Sequence, residues 1–133
     1  MRLTLAAFVG GLLGTALRVG ADLALPHGET ALPVGTLLVN VLGAVLLGFL
    51  VGGLWTRPGT PQWLKVAAGP GLLGSFTTFS AVMVSVVSLG AAGAWSLAGA
   101  YLAASVVLGL LAAAVGLTLA RPLRPRPQAG AVR

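Results

Sequence analysis

The chain has no cysteine, and only one histidine, one aspartate and one glutamate among its 133 residues. Without cysteine there is neither a disulfide nor thiolate chemistry. His27, Asp22 and Glu29 are too few to build a transition-metal site, and they offer no carboxylate pair for acid–base hydrolysis. Charge of either sign is scarce, at 8% of residues against about 25% in a soluble domain. This inventory argues against an enzyme. His27 stands alone in a polar loop and receives no role.

What is present is apolar. The chain is 57% hydrophobic with a mean hydropathy of +1.01, the composition of an integral membrane protein. At roughly 20 residues per span, the length accommodates four helices and short loops, with no extramembrane domain. The expected spans are residues 3–24, 33–55, 64–89 and 94–120. Arg2 and the small pair Ala6-Ala7 suggest a signal peptide, but the apolar run continues past Arg18 to about Leu25 and reads as a retained span. Residues 1–120 then form the membrane domain. Residues 121–133 form a basic, proline-rich tail, expected to be disordered and to lie against anionic headgroups.

The third span is the most informative. Gly69-Pro70-Gly71-Leu72-Leu73-Gly74-Ser75-Phe76-Thr77-Thr78-Phe79-Ser80 is poor material for a continuous helix. Irregular backbone at membrane depth is tolerated only where protein buries it or where it lines a wet or ion-binding cavity. The span therefore reads as a broken helix at a functional site, although glycines also permit plain close packing.

Other polar residues in the spans are few. Gly10 and Gly14 form a GxxxG pair, with Arg18 next on the same face and Asp22 one turn beyond. Arg18 is either a site residue or an anchor that snorkels to the interface. Asn40, the sole carboxamide in a span, either bonds a neighbouring helix or donates its NH₂ to a permeating anion. Tyr101, Ser105 and Gly109 make one polar and small stripe at four-residue spacing, readable as a packing seam. No acid lies at mid-membrane, where cation pathways and proton relays usually need one. Hydroxyl and amide donors, with phenyl ring edges such as that of Phe79, favour a small anion.

Four segments in order resemble the Fluc/CrcB family of fluoride channels: residues 10–18, 35–43 and 71–80, and the Tyr101, Ser105, Gly109 stripe. The resemblance covers essentially the whole chain. It implies an all-α membrane protein, four transmembrane helices with the third broken, paired as an antiparallel, dual-topology-type dimer with two fluoride pores. It further implies a structural sodium ion, not transported, at the dimer centre. The sodium would be held by the backbone carbonyls of Gly74 and Thr77. Asn40 and Phe79 match pore residues, Ser105 a hydroxyl of the polar track, and Arg18 the arginine of the first helix, with a role in attracting anions. Thr78, Ser80 and Tyr101 join the expected pore set. Two positions depart from the family pattern. A second phenylalanine is replaced by Val82, which has no ring edge, and a frequent glutamate is replaced by Ser85.

The expected function is passive fluoride export from the cytoplasm across the plasma membrane. The alternative is a divergent partner subunit of a heterodimeric channel. A drug-exporter-type small transporter is less favoured, because it needs a glutamate in a span and none is present. Arg2, Arg57, Lys65, Arg121, Arg124, Arg126 and Arg133 share one side, against at most Arg18 on the other. The positive-inside rule then places both termini in the cytoplasm.

Overall fold

The computed structural model describes residues 1–25 and 32–123. His27, Glu29 and the tail from residue 124 onward lie outside the described residues. Among the described residues the structure is all-helical, and four helical stretches are long and apolar enough to cross a membrane. The first is α1, Arg2–Ala24, and the second is α2, Val34–Gly52, followed by a 3₁₀ turn at Leu54–Thr56. The third span, Gln62–Ala91, is composite. It comprises α3 (Gln62–Val66), a π-helical segment (Ala67–Leu73), α4 (Gly74–Phe76) and α5 (Phe79–Ala91). The fourth contains α6, Trp95–Leu119.

Two close crossings order the helices. α2 lies along α6, and Gly48 faces Gly116. A Cβ on Gly48 would collide with the Ala113 carbonyl, and one on Gly116 with the carbonyl of Val45. In a membrane, where apolar burial does not separate helix from lipid, such backbone proximity is what holds helices together. The second crossing seats the GxxxG pair of α1 against the π segment. A Cβ on Gly10 would meet the Ala67 carbonyl, and one on Gly14 the Leu72 carbonyl.

The π segment has a local cause. Pro70 has no N–H to return to Val66 and would crowd that carbonyl in a regular helix. Widening the turn relieves this, and Gly74 N–H then bonds the Gly69 carbonyl, five residues back. The glycines and the proline therefore loosen the winding without ending it. The helix breaks later, at Thr77 and Thr78, both of which have extended backbone.

α5 ends in a Schellman turn. Gly93 adopts φ +79°, Gly93 N–H bonds Gly90 O, and Ala94 N–H bonds Leu89 O, both at 2.9 Å. Leu89 packs with Val82, Ala98 and Tyr101 into a small core between α5 and α6. A second core joins Val39, Leu73 and Phe76 beneath the break. Beyond these, most side chains face outward, and in the first and fourth spans only 11% of the most apolar window is buried.

Candidate functional site

The break is fixed from three directions. Thr77 caps α4 from within, its N–H and its Oγ1 both donating to the Leu73 carbonyl at 3.0 and 2.8 Å. From α2, the Asn40 carboxamide takes both backbone groups of Thr78. Nδ2 donates to Thr78 O, and Thr78 N–H donates to Oδ1, each at 2.8 Å. One turn along α2, Gly43 leaves room for the Thr77 methyl, which a Cβ would strike. From α1, Arg18 donates to Phe76 O at 3.3 Å and lies 3.8 Å from the Asp22 carboxylate. A cation at the C-terminal end of α4 also matches the negative end of its peptide dipoles. Thr78 then starts α5 as its N-cap, its hydroxyl accepting from Ala81 N–H at 3.4 Å.

These bonds occupy the carbonyls of Leu73, Phe76 and Thr78. Among the described residues, none of the side-chain hydrogen bonds or of the backbone bonds outside the helices ends on the carbonyl of Gly74 or Thr77. Gly74 is exposed, and nothing stands closer than 3.8 Å to where its Cβ would be. The described residues contain no cluster of three His, Cys, Asp or Glu. A cation held here would therefore rely on backbone oxygen, the ligand type suited to a hard ion. The backbone oxygens of Gly74 and Thr77 are of that type, and two of them would fill only part of a coordination shell.

A groove of about 500 Å³ runs past the break. It brings together six of the nine residues expected at the site: Asn40, Gly74, Thr77, Thr78, Phe79 and Ser105. Phe79 is 62% exposed, its ring presented outward. Ser105 sits within the groove and donates to Tyr101 O at 2.8 Å. Trp55, which the sequence marks only as an interface aromatic, forms part of the wall, and Gly69 and Pro70 are beside it.

Three expected residues do not line the groove. Ser80 lies outward at the start of α5. Arg18 stands behind the break on Phe76 O. Tyr101 is 3% exposed, with its ring in the core against Val82. The hydroxyls of Ser85 and Ser105 flank the Tyr101 hydroxyl, but their own protons go to the carbonyls of Ala81 and Tyr101.

Residues 5–117 match the family described as CrcB-like protein, Camphor Resistance (CrcB). The chain belongs to this family. CrcB-like relatives are similar over nearly their full length. A Geobacillus kaustophilus protein named Fluoride-specific ion channel FluC 2 is 39% identical over 121 residues, which are 90% of this chain and 94% of the relative. A Bordetella petrii protein named Fluoride-specific ion channel FluC is 41% identical over 120 residues, covering 90% and 92%. A Mycobacterium tuberculosis protein named Fluoride-specific ion channel FluC 1 is 38% identical over 122 residues, covering 91% and 92%. The CrcB-like match contains the whole groove and break, and it ends before the tail.

Proposed function

We propose that this chain is a subunit of a fluoride-selective channel, which lets fluoride leave the cytoplasm passively. The observation that carries this is the match, over 90–91% of the chain, to relatives named as fluoride-specific channels. The groove agrees with it. Its polar lining is neutral and includes donors, with no acid to repel an anion. Asn40 keeps one Nδ2 hydrogen beyond the bond to Thr78, in a position to meet a passing ion. The protein acts as a conduit, with no chemistry of its own.

The functional unit in this reading is an antiparallel dimer with a sodium ion at its centre. The carbonyls of Gly74 and Thr77 would hold the ion, and a second copy would complete the shell across the open face. A bound cation would pin these two carbonyls, keeping the break rigid without a carboxylate.

A heterodimer with a homologous chain of opposite orientation is the second reading. Two features favour it. The basic residues are distributed seven to at most one across the membrane, which favours a single orientation. Val82, which lines the groove from the core between α5 and α6, also offers no ring edge there, and a partner chain could supply one. Relatives named FluC 1 and FluC 2 are consistent with such pairs.

Fluoride efflux from liposomes that contain only this protein tests the proposal. Rapid efflux supports the homomeric channel. Efflux that appears only when a homologous chain is co-reconstituted supports the pair. No efflux in either case rejects both. A reporter fused to the C-terminus settles orientation. A purely cytoplasmic signal supports the pair, and equal signals on both sides support the homodimer.

A further inference from the structure

The end of the molecule that carries loop two is positively charged. It gathers Arg2 at the start of α1, Arg57 after α2, Lys65 in α3 and Arg121 after α6. The described residues include one acid, Asp22, which lies about 30 Å along α1 from Arg2 at 1.5 Å per residue. Arg57 Nε donates to Leu123 O at 3.1 Å, and Lys65 donates to Trp55 O at 2.9 Å. The Arg2 side chain makes no hydrogen bond or ion pair among the described residues, so its whole fork of N–H donors is available.

Arg2 also stands at the mouth of a furrow. One hollow on α1 is lined by Arg2, Thr4, Leu5 and Phe8, and a second runs on from Phe8 past Gly11, Leu12 and Thr15. Leu5, Phe8 and Leu12 are 63, 63 and 57% exposed, so no other part of the described chain covers it. From Leu5 to Thr15 the furrow extends about 15 Å. That is about half of a 30 Å hydrocarbon core, the depth of one leaflet. Along α1 the order is a cation first, then one leaflet's depth of apolar surface.

We propose that this furrow binds an anionic phospholipid, its phosphate at Arg2 and one acyl chain laid past Leu5, Phe8 and Leu12. The order of charge and hydrocarbon along α1 is that of the lipid itself. A guanidinium pairs with phosphate through two parallel hydrogen bonds. The other cations of this end add attraction for an anionic headgroup, and no described acid opposes it. The site is independent of what passes along the groove at the break.

Full-length protein in a neutral detergent provides the test. The probe is palmitoyl-oleoyl phosphatidylglycerol, and the control is phosphatidylcholine with the same chains. Native mass spectrometry should retain phosphatidylglycerol on the protein, saturating at one per chain, and should show phosphatidylcholine lost. The melting temperature should rise with phosphatidylglycerol and plateau. Inorganic phosphate should leave it unchanged; a rise would mean a site for free anions and overturns the proposal. Arg2→Gln should weaken phosphatidylglycerol binding about fivefold, the effect of one arginine beside anionic headgroups. Arg57→Gln removes a charge from the same end but not from the furrow, and should weaken binding less. Gly11→Leu, which fills the furrow, should also weaken it; its Cβ would stand 3.4 Å from Ser75 Oγ, an ordinary contact that the fold accommodates. Equal retention of the two lipids overturns the proposal, as does an Arg2→Gln protein that binds no worse than Arg57→Gln. Phe8→Cys, in a chain with no other cysteine, should stay unlinked under oxidation. Disulfide-linked pairs would put a second copy in the furrow and overturn the lipid site.

Discussion

Asn40 and Thr78 exchange two hydrogen bonds of 2.8 Å each, so a side chain of α2 stands in for the missing helical partners of a residue in the break. The exchange requires a donor and an acceptor on one planar group. A carboxamide offers both at neutral pH, and the isosteric carboxylate does not.

Asn40→Asp therefore removes the donor to Thr78 O and sets a carboxylate against that carbonyl. The variant should lose fluoride flux and about 1–3 kcal/mol of stability, the cost of an unpaired buried group. Efflux assays and thermal melting in detergent check both. Normal flux with an unchanged melting temperature would show that the exchange does not matter.

Replacing sodium with a large organic cation tests the proposed cation site at the carbonyls of Gly74 and Thr77. The folded protein should melt at lower temperature and conduct less, because a ligand bound only to the native state stabilises it by mass action. The melting temperature should rise with sodium concentration and then plateau. Indifference to sodium in both measurements removes the ion from the break.

Gly116→Ala drives a methyl group into the Val45 carbonyl and parts α2 from α6. Backbone cannot yield as a side-chain tip does, so about 1–3 kcal/mol of destabilisation is expected, as for overpacking. Gly109→Ala, on the same helix with nothing within 4 Å of its Cβ position, is the control. It should be neutral or stabilise by up to about 1 kcal/mol through helix propensity. Equal melting temperatures for the two variants would mean that the crossing does not hold the bundle together.

Val82 is 1% exposed and packs against Tyr101, Leu89 and Ala98. Val82→Phe, which restores the family's second ring, should overfill this core and destabilise by about 1–3 kcal/mol. It should not raise flux in the homomeric protein. Faster efflux from a stable variant would place this side chain in the pore.

Much of this arrangement can be read from the sequence. The four spans are expected within a few residues of their observed ends, because long apolar runs carry a strong signal. The GxxxG spacing correctly places Gly10, Gly14 and Arg18 on one face, which meets the third span. Ser105 does reach the groove beside the broken helix. The location of the break is less legible. Helix propensity points to Gly69, Pro70 and Gly71, but α1 packs so tightly on that segment that it stays wound as a π-helix. The break is shifted to Thr77 and Thr78, where tertiary hydrogen bonds replace the helical ones, and no local pattern reveals those bonds. The Tyr101 stripe is only partly legible for a related reason. Four-residue spacing gives a direction around α6, but not which neighbour fills it, and the large ring is taken into the core.

The π winding of Ala67–Leu73 also gives the third span a tolerance to length that hydropathy cannot register. A wide turn stores an extra residue, so deleting one residue there would let the segment relax into ordinary α-helix. The residues beyond would keep nearly the same phase, with Thr77 above Gly43 and Thr78 against Asn40. The same deletion in α5, which has no wide turn to absorb it, would rotate every later residue of that helix by about 100°, one residue's step. The segment acts as slack between the α1 seam and the break.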